Sequence, residues 1–116
     1  MEIGRGQKVF DAAPVTGVVR VMESSDDVLA VMDTTAEGVV ALVRDAGATF
    51  LAPLYHELAG VICTAGTLRS HIGIVTREFG VPCVMACELS RDLRDGEEVT
   101  LDCSGEAGIV SDHADG

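Results

Sequence analysis

The sequence is poor in aromatic residues, in lysine and in long apolar runs, and each shortage excludes a class of protein. Aromatic residues make up 3% of the 116 residues and tryptophan is absent, so the core must consist of aliphatic side chains and methionine. Lys8 is the only lysine, and the arginines form no basic run, which argues against binding to nucleic acid or to an anionic membrane. No apolar run approaches the roughly 18 residues of a membrane-spanning helix, and the first residues lack the apolar segment of a signal peptide.

The sequence is strongly acidic. It carries 19 Asp and Glu residues against 8 Lys and Arg residues, a formal net charge of −11. Its length suits one domain, and its 47% hydrophobic and 23% charged residues are typical of a globular chain. We therefore expect a single compact domain over residues 1–116, with a frayed tail at 111–116, that is a cytoplasmic monomer in isolation.

The four cysteines have the wrong spacing for a common metal site. Such a site needs two closely spaced pairs of ligands, whereas here only Cys83 and Cys87 lie close together. A cytoplasmic location favours reduced thiols. We predict that Cys63, Cys83, Cys87 and Cys103 are small buried apolar side chains and that the chain holds no metal. A thiol redox or metal module is the alternative.

Hydrophobic periodicity alternates between strand-like and helix-like segments, which predicts an α/β fold. Strands are predicted over residues 15–22, 38–43, 60–63, 83–87, 97–103 and 108–110. Helices are predicted from a cap at Ser24 or Ser25 to about residue 32, over residues 49–59 and over residues 71–79. In the last helix we expect Ile72, Val75 and Phe79 to face the core, because they recur at helical spacing.

The segment from residue 61 to residue 79 is the candidate functional unit. It predicts a strand, a loop and a helix that begins at His71 after the capping residue Ser70. The unpaired backbone N–H groups at a helix start favour an anion, and a neutral imidazole is a nucleophile. Arg69 and Arg77 lie nearby in the sequence and suit a phosphoryl group. Composition and spacing alone favour a capping or surface histidine over a catalytic one.

The same residues closely resemble a known signature. Residues 64–84 read TAGTLRSHIGIVTREFGVPCV, and the phosphohistidine signature of the mobile domain of phosphoenolpyruvate-utilising enzymes reads approximately G-G-x-x-S-H-x-A-I-x-A-R-E-x-G-I-P-x-V. Residues 93–102 are similar to that family's L-x-D-G-D-x-V-x-V-D segment, residues 108–110 to its closing G-x-V, and residues 13–19 loosely to its opening strand. The chain is identified as a member of this family, which includes phosphoenolpyruvate synthase, pyruvate phosphate dikinase and phenylphosphate synthase.

The resemblance implies a fold and a set of site residues. The fold is a swivelling β/β/α phosphohistidine domain, with His71 as the phosphorylated nucleophile and Ser70 as its catalytic neighbour. The implied phosphate-binding residues are Gly66, Thr67, Arg69 and Arg77. The sequence departs from the signature where Thr67 replaces a glycine and where Gly73 and Thr76 replace two alanines, and Arg69 stands at a position that is usually threonine in the family. We therefore expect the loop geometry and the phosphate contacts to differ from those of the family, while the nucleophile is kept.

The resemblance also implies a function that needs other chains. The chain would be a carrier subunit that shuttles a phosphoryl group from a separate ATP-grasp-like nucleotide-binding subunit to a separate acceptor or pyruvate/phosphoenolpyruvate-binding subunit. ATP and Mg²⁺ are implied at the partner, with no cofactor on this chain, which would be inactive without its partners. The start at Met1 and the end six residues past the last predicted strand favour a free-standing subunit, with an excised domain as the alternative. A non-catalytic binding or regulatory subunit with the same fold is the alternative.

The net charge predicts how such a carrier docks. We expect weak, electrostatically steered encounters with basic faces on the partners. The alternative is an apolar contact around Leu68 and Ile72. His56, on the predicted second helix, is expected to be solvated or to face a partner.

Overall fold

The computed structural model describes residues 1–112. Their seven strands are β1 (Glu2–Lys8), β2 (Ala12–Val21), β3 (Val39–Val43), β4 (Gly60–Cys63), β5 (Cys83–Leu89), β6 (Glu98–Cys103) and β7 (Gly108–Asp112). Helix α1 (Ser25–Met32) joins β2 to β3, a 3-10 helix (Ala52–Leu54) lies between β3 and β4, and helix α2 (His71–Phe79) joins β4 to β5. Neither α-helix of this described range has the length and apolar character needed to cross a membrane.

The strands form one closed barrel in the order β1-β5-β4-β3-β2-β6-β7. The neighbours β2, β3, β4 and β5 run parallel, and the remaining pairs are antiparallel. Parallel neighbours need crossover connections, which α1, the segment around the 3-10 helix and α2 supply. The structure therefore confirms the predicted α/β class and shows a single domain over the described residues.

Two cores lie on opposite sides of the parallel strands. On β3, Val40 and Leu42 point into the barrel with residues of the other strands. Val39, Ala41 and Val43 point outward against the helices. Because successive side chains of a strand alternate between its faces, a strand that is covered on both sides is apolar throughout. All five residues of β3 are buried for this reason.

Strand β5 contains a bulge at Ala86. The pairing register between β1 and β5 shifts by one residue there, and Ala86 has a positive φ of 51°. Val84 and Cys87, three residues apart, both belong to the barrel interior, which regular alternation forbids. The bulge frees the N–H of Ala86, which donates to the carbonyl oxygen of Ala65 at 3.3 Å. A loop that follows β4 is thereby tied to β5.

The bulge predicts an unusual stabilising substitution, Ala86→Gly. Relief of the left-handed conformation is worth about 1–2 kcal/mol, and the extra freedom of glycine in the unfolded chain costs about 0.4–1 kcal/mol. We expect a higher urea midpoint, equivalent to a net gain of about 0.5–1 kcal/mol. Ala41→Gly, on the regular strand β3, is the control and should lower the midpoint. An equal fall of the urea midpoint in Ala86→Gly and Ala41→Gly would contradict this account of the bulge.

The predicted helix over 49–59 is wrong. The structure has only a 3-10 helix and turns there, with Leu54 N–H donating to Leu51 O at 2.8 Å and Glu57 N–H to Leu54 O at 2.9 Å. Leu51, Leu54 and Leu58 are nevertheless buried, as their spacing predicts. Tight turns present the same apolar face as a helix, and Pro53 has no N–H to extend the hydrogen-bond ladder.

The chain ends of the described range differ from expectation. Strand β1 was not predicted, because its sequence EIGRGQK has little strand character. Its glycines allow close pairing: a Cβ on Gly6 would overlap the carbonyl oxygen of Met85. Ser111 and Asp112, expected in a frayed tail, are the last residues of β7 and pair with β1 and β6. Residues 113–116, with His113, lie outside the described residues.

The face of α2 also needs a correction. Ile72 is buried as predicted, but Phe79 is 54% exposed and stacks on Tyr55 with ring centroids 5.5 Å apart. Thr76 takes the third buried position, and its hydroxyl donates to the carbonyl oxygen of Ile72 at 2.8 Å. The signature's alanine is therefore replaced without leaving a buried hydroxyl unpaired.

The four cysteines are buried and none forms a disulfide, as predicted. Burial raises the pKa of the Cys83 thiol to about 12 and that of Cys87 to about 11. Neutral, buried thiols react slowly, so these residues act as packing groups. Within residues 1–112 no group of three or more histidine, cysteine or acidic residues is arranged to hold a metal.

Candidate functional site

The candidate site lies at the carboxyl ends of the parallel strands β3 and β4. Residues 44–48 follow β3, and residues 64–70 follow β4 and lead into α2. Backbone hydrogen bonds connect each loop to the neighbouring element: Thr64 N–H donates to Val43 O at the end of β3 at 3.1 Å, and Ile72 N–H in α2 donates to Ala46 O at 3.0 Å. The carboxyl edge of parallel strands is where α/β proteins place their ligand sites.

The loop over 64–70 is held by its own polar groups. Ser70 has the extended backbone of a helix cap, but its hydroxyl does not bond to the helix. Instead Thr67 N–H donates to Ser70 Oγ at 2.9 Å, and Ser70 N–H donates to Thr67 O at 3.0 Å. Thr67 Oγ1 also accepts the N–H of Arg69 at 3.2 Å. Ser70 and Thr67 thus order the loop that presents His71.

Gly66 connects the two loops by close contact. Its φ is 78°, and a Cβ at this position would overlap Cβ of Ala46 and lie 2.6 Å from Ser70 Oγ. Thr67, at the second glycine of the signature, has no positive φ, which is why a side chain is tolerated there. A Cβ on Gly73 would lie 2.7 Å from Leu68 O. Glycine at this position therefore lets the backbone of the loop over 64–70 pack directly against α2.

His71 is the first residue of α2 and is exposed. In the described part of the chain nothing hydrogen-bonds its imidazole, so both ring nitrogens are accessible. Helical spacing places Ile74 and Glu78 on the same exposed face, three and seven residues further on. The site therefore presents an accessible nucleophile at the start of a helix whose loop is rigidly held.

The two predicted arginines occupy different places. Arg69 is exposed in the loop two residues before His71. Arg77 is in the last turn of α2, about 9 Å further along the helix axis than His71 at ~1.5 Å per residue, with its side chain leaning back toward the helix start. Neither guanidinium has an ion pair within residues 1–112. Their contact with a phosphoryl group, like the roles of Gly66 and Thr67, stays a prediction.

Sequence reasoning missed two contributions to this site. The loop over 44–48 brings Ala46 against Gly66 and Ile72, and the N–H of Ala86 in the bulge donates to the carbonyl oxygen of Ala65. The apolar run of β3 followed by a charged residue was a usable signal, because the carboxyl ends of adjacent parallel strands meet at one edge. The bulge left no comparable local signal.

The comparisons with known proteins agree with this architecture. The family model described as PEP-utilising enzyme, mobile domain, matches residues 35–106, which include both loops and all of α2. The chain belongs to this family. The phosphoenolpyruvate synthase of Deinococcus radiodurans is 33% identical over 114 residues, which are 92% of this chain and 14% of the relative. That of Neisseria meningitidis serogroup B is 30% identical over 107 residues, which are 90% of this chain and 12% of the relative.

These relatives are much longer than the chain, which spans only about an eighth of their length. Among solved structures, MccF in complex with glutamyl sulfamoyl guanosine superposes with a TM-score of 0.51 at 10% identity, covering 97% of this chain and 41% of that one. At that identity the likeness concerns the fold alone.

Proposed function

We propose that the chain is a phosphohistidine carrier in which His71 accepts and releases a phosphoryl group. The observation that carries the proposal is the accessible imidazole of His71 at the start of α2, within the segment that matches the mobile-domain family. A neutral ring nitrogen attacks the phosphorus of the donor. The N–P bond forms as the donor P–O bond breaks, and the leaving oxygen keeps the electron pair. Transfer to the acceptor reverses these changes.

The carrier role assigns the rest of the reaction to other chains or domains. The domain would be the swivelling β/β/α unit that moves between two active sites. Its closed barrel and the hydrogen-bonded loops over 44–48 and 64–70 suit movement as one rigid body. Charge neutralisation during phosphoryl transfer relies on a metal–phosphate clamp. ATP, Mg²⁺ and the clamp belong to an ATP-grasp-like partner, and the acceptor to a second partner that binds pyruvate, phosphoenolpyruvate or another acceptor.

The proposal is tested by mixing the chain with its nucleotide-binding partner and labelled ATP. We expect an adduct of about 80 Da on this chain that is lost in acid and survives in alkali, as a phosphoramidate does. The purified chain alone should not hydrolyse ATP. A partner that phosphorylates its acceptor while this chain stays unlabelled would instead support a non-catalytic binding or regulatory subunit.

The structure changes the apolar alternative for docking. Ile72 is fully buried and cannot contact a partner. The exposed apolar residues beside His71 are Leu68 and Ile74, at 43% and 50% exposure. An apolar contact would therefore use these two side chains, whereas a steered encounter would use the acidic surface of the whole chain.

We expect the second-order rate of transfer between separate partners to fall as salt rises. The net charge of −11 steers the chain toward basic partner faces, and the Debye length shrinks from about 20 Å at roughly 0.02 M salt to about 4 Å at roughly 0.5 M. Rapid quench-flow with the labelled phosphorylated chain measures this rate. A rate that is flat or rises with salt would contradict steering and favour the contact through Leu68 and Ile74.

A further inference from the structure

The peptide group between Ala65 and Gly66 is held by donors from two strands. Its carbonyl oxygen, that of Ala65, accepts the N–H of Ala86 in the bulge of β5 at 3.3 Å. The same oxygen accepts the thiol of Cys63, the last residue of β4, at 3.4 Å. A thiol is a weak donor, but two donors that converge on one oxygen fix the direction in which this carbonyl points.

The direction of that carbonyl decides which polar group the loop presents on its outer side. The peptide is trans, so its C=O and N–H point in opposite directions. With the Ala65 carbonyl turned toward β5, the N–H of Gly66 points away from β5. Gly66 is exposed, and within residues 1–112 this N–H has no hydrogen-bond partner. The loop before His71 therefore presents a free donor here, the polarity that suits an anion.

Rotation of this peptide group is the change that the two hydrogen bonds oppose. Half a turn needs large changes only in ψ of Ala65 and φ of Gly66, and glycine accepts either sign of φ, here 78°. The rotated peptide would direct a carbonyl oxygen outward, which repels an anion. The change would occur beside the nucleophile, because a Cβ on Gly66 would lie 2.6 Å from Oγ of Ser70, the residue before His71.

Burial keeps Cys63 in the protonation state that can donate. The side chain is fully buried, and burial raises the pKa of the thiol, with a further rise from the negative charge of Asp45. The thiol is therefore protonated at neutral pH and offers its hydrogen to the Ala65 carbonyl. A thiolate in the same place would repel that oxygen.

We propose that Cys63 is a positioning residue for phosphoryl transfer. Its thiol, together with the N–H of Ala86, fixes the peptide between Ala65 and Gly66 in the orientation that keeps a donor on the outer side of the loop before His71. This inference rests on the proposed function. Cys63 does not touch the reacting atoms. It lowers the fraction of molecules in which a carbonyl oxygen opposes the incoming phosphoryl group.

Hydrogen exchange and labelling test this role together. Cys63→Ala removes the donor, and Cys63→Ser keeps one. In Cys63→Ala we expect the Ala86 amide to exchange about threefold faster by NMR, relative to the amides of β3 that report global unfolding, because its acceptor is fixed by one donor fewer. With the nucleotide-binding partner and ATP, kcat for labelling of His71 should also fall about threefold at an unchanged KM for the partner. Cys63→Ser should recover most of both effects.

Cys103→Ala is the matched control. It removes another buried thiol, in the barrel interior, where the Sγ atom lies 4.0 Å from Cys83 O. Labelling and the relative exchange of Ala86 should stay at the wild-type rate in this variant. Equal effects in Cys63→Ala and Cys63→Ser, or in Cys63→Ala and Cys103→Ala, would overturn the positioning role.

The outcomes separate this inference from the proposed function. If the wild-type chain is not labelled, the proposed function fails, while the exchange of the Ala86 amide still shows whether Cys63 fixes the peptide. Thermal unfolding of each variant checks folding. If Cys63→Ala does not fold, Cys63→Val decides, because valine fills the space without a donor. Wild-type exchange and labelling in Cys63→Val would overturn the proposal.

Discussion

His71→Ala is expected to reduce phosphorylation of the chain to background in the presence of the nucleotide-binding partner and ATP. The substitution removes the only nitrogen that the proposal uses as a nucleophile, so the loss should be complete and not graded. Folding should be unaffected, because His71 is exposed and its imidazole has no hydrogen bond in the described part of the chain.

Two controls make this result specific. His71→Asn keeps a polar side chain of similar size and should also be inactive. His56→Ala removes another exposed histidine, in the turn after the 3-10 helix, and should be labelled at the wild-type rate. Peptide mapping under alkaline conditions locates the adduct. Label that persists in His71→Ala, or that maps to His56 in the wild type, would contradict the assignment of the nucleophile.

Gly66→Ala is expected to damage both the stability of the chain and the phosphorylation of His71. A left-handed alanine costs about 1–2 kcal/mol. The new methyl group would also overlap Ala46 Cβ and approach Ser70 Oγ to 2.6 Å, and crowding of this kind adds about 1–3 kcal/mol. Because these contacts join the two loops of the site, relief of the overlap must displace the loop that presents His71. We expect the labelling rate to fall at least about tenfold.

Gly80→Ala is the matched control for this substitution. Gly80 has a similar φ of 69°, but a Cβ there would meet nothing within 4 Å. The stability of this variant should fall only by the cost of the left-handed conformation, and the variant should be labelled at nearly the wild-type rate. Urea unfolding and initial labelling rates measure the two effects. If Gly66→Ala and Gly80→Ala lowered the stability and the labelling rate equally, the contact between the loops would not be what Gly66 provides.

The limits of sequence reasoning are clearest at particular residues around the site. Helix α2 and its His71 were predicted with correct ends, because Ser70 before the helix and Gly80 after it are local signals. The expectation that the helix start would offer free amides was only partly correct. Ile72 gives its N–H to Ala46, a residue 26 positions earlier in the sequence. Capping patterns say nothing about such a partner.

The sequence by itself determined the acidic character, the buried parallel strands, the helix that begins at His71 and the family signature, since each depends on composition or on neighbouring residues. Only the tertiary structure decided the pairing of β1, the bulge at Ala86 and the contact of Ala46 with Gly66 and Ile72. These features come from contacts between residues that are distant in the chain. Packing of the closed barrel stabilises these features, and the local propensities of the residues do not predict them.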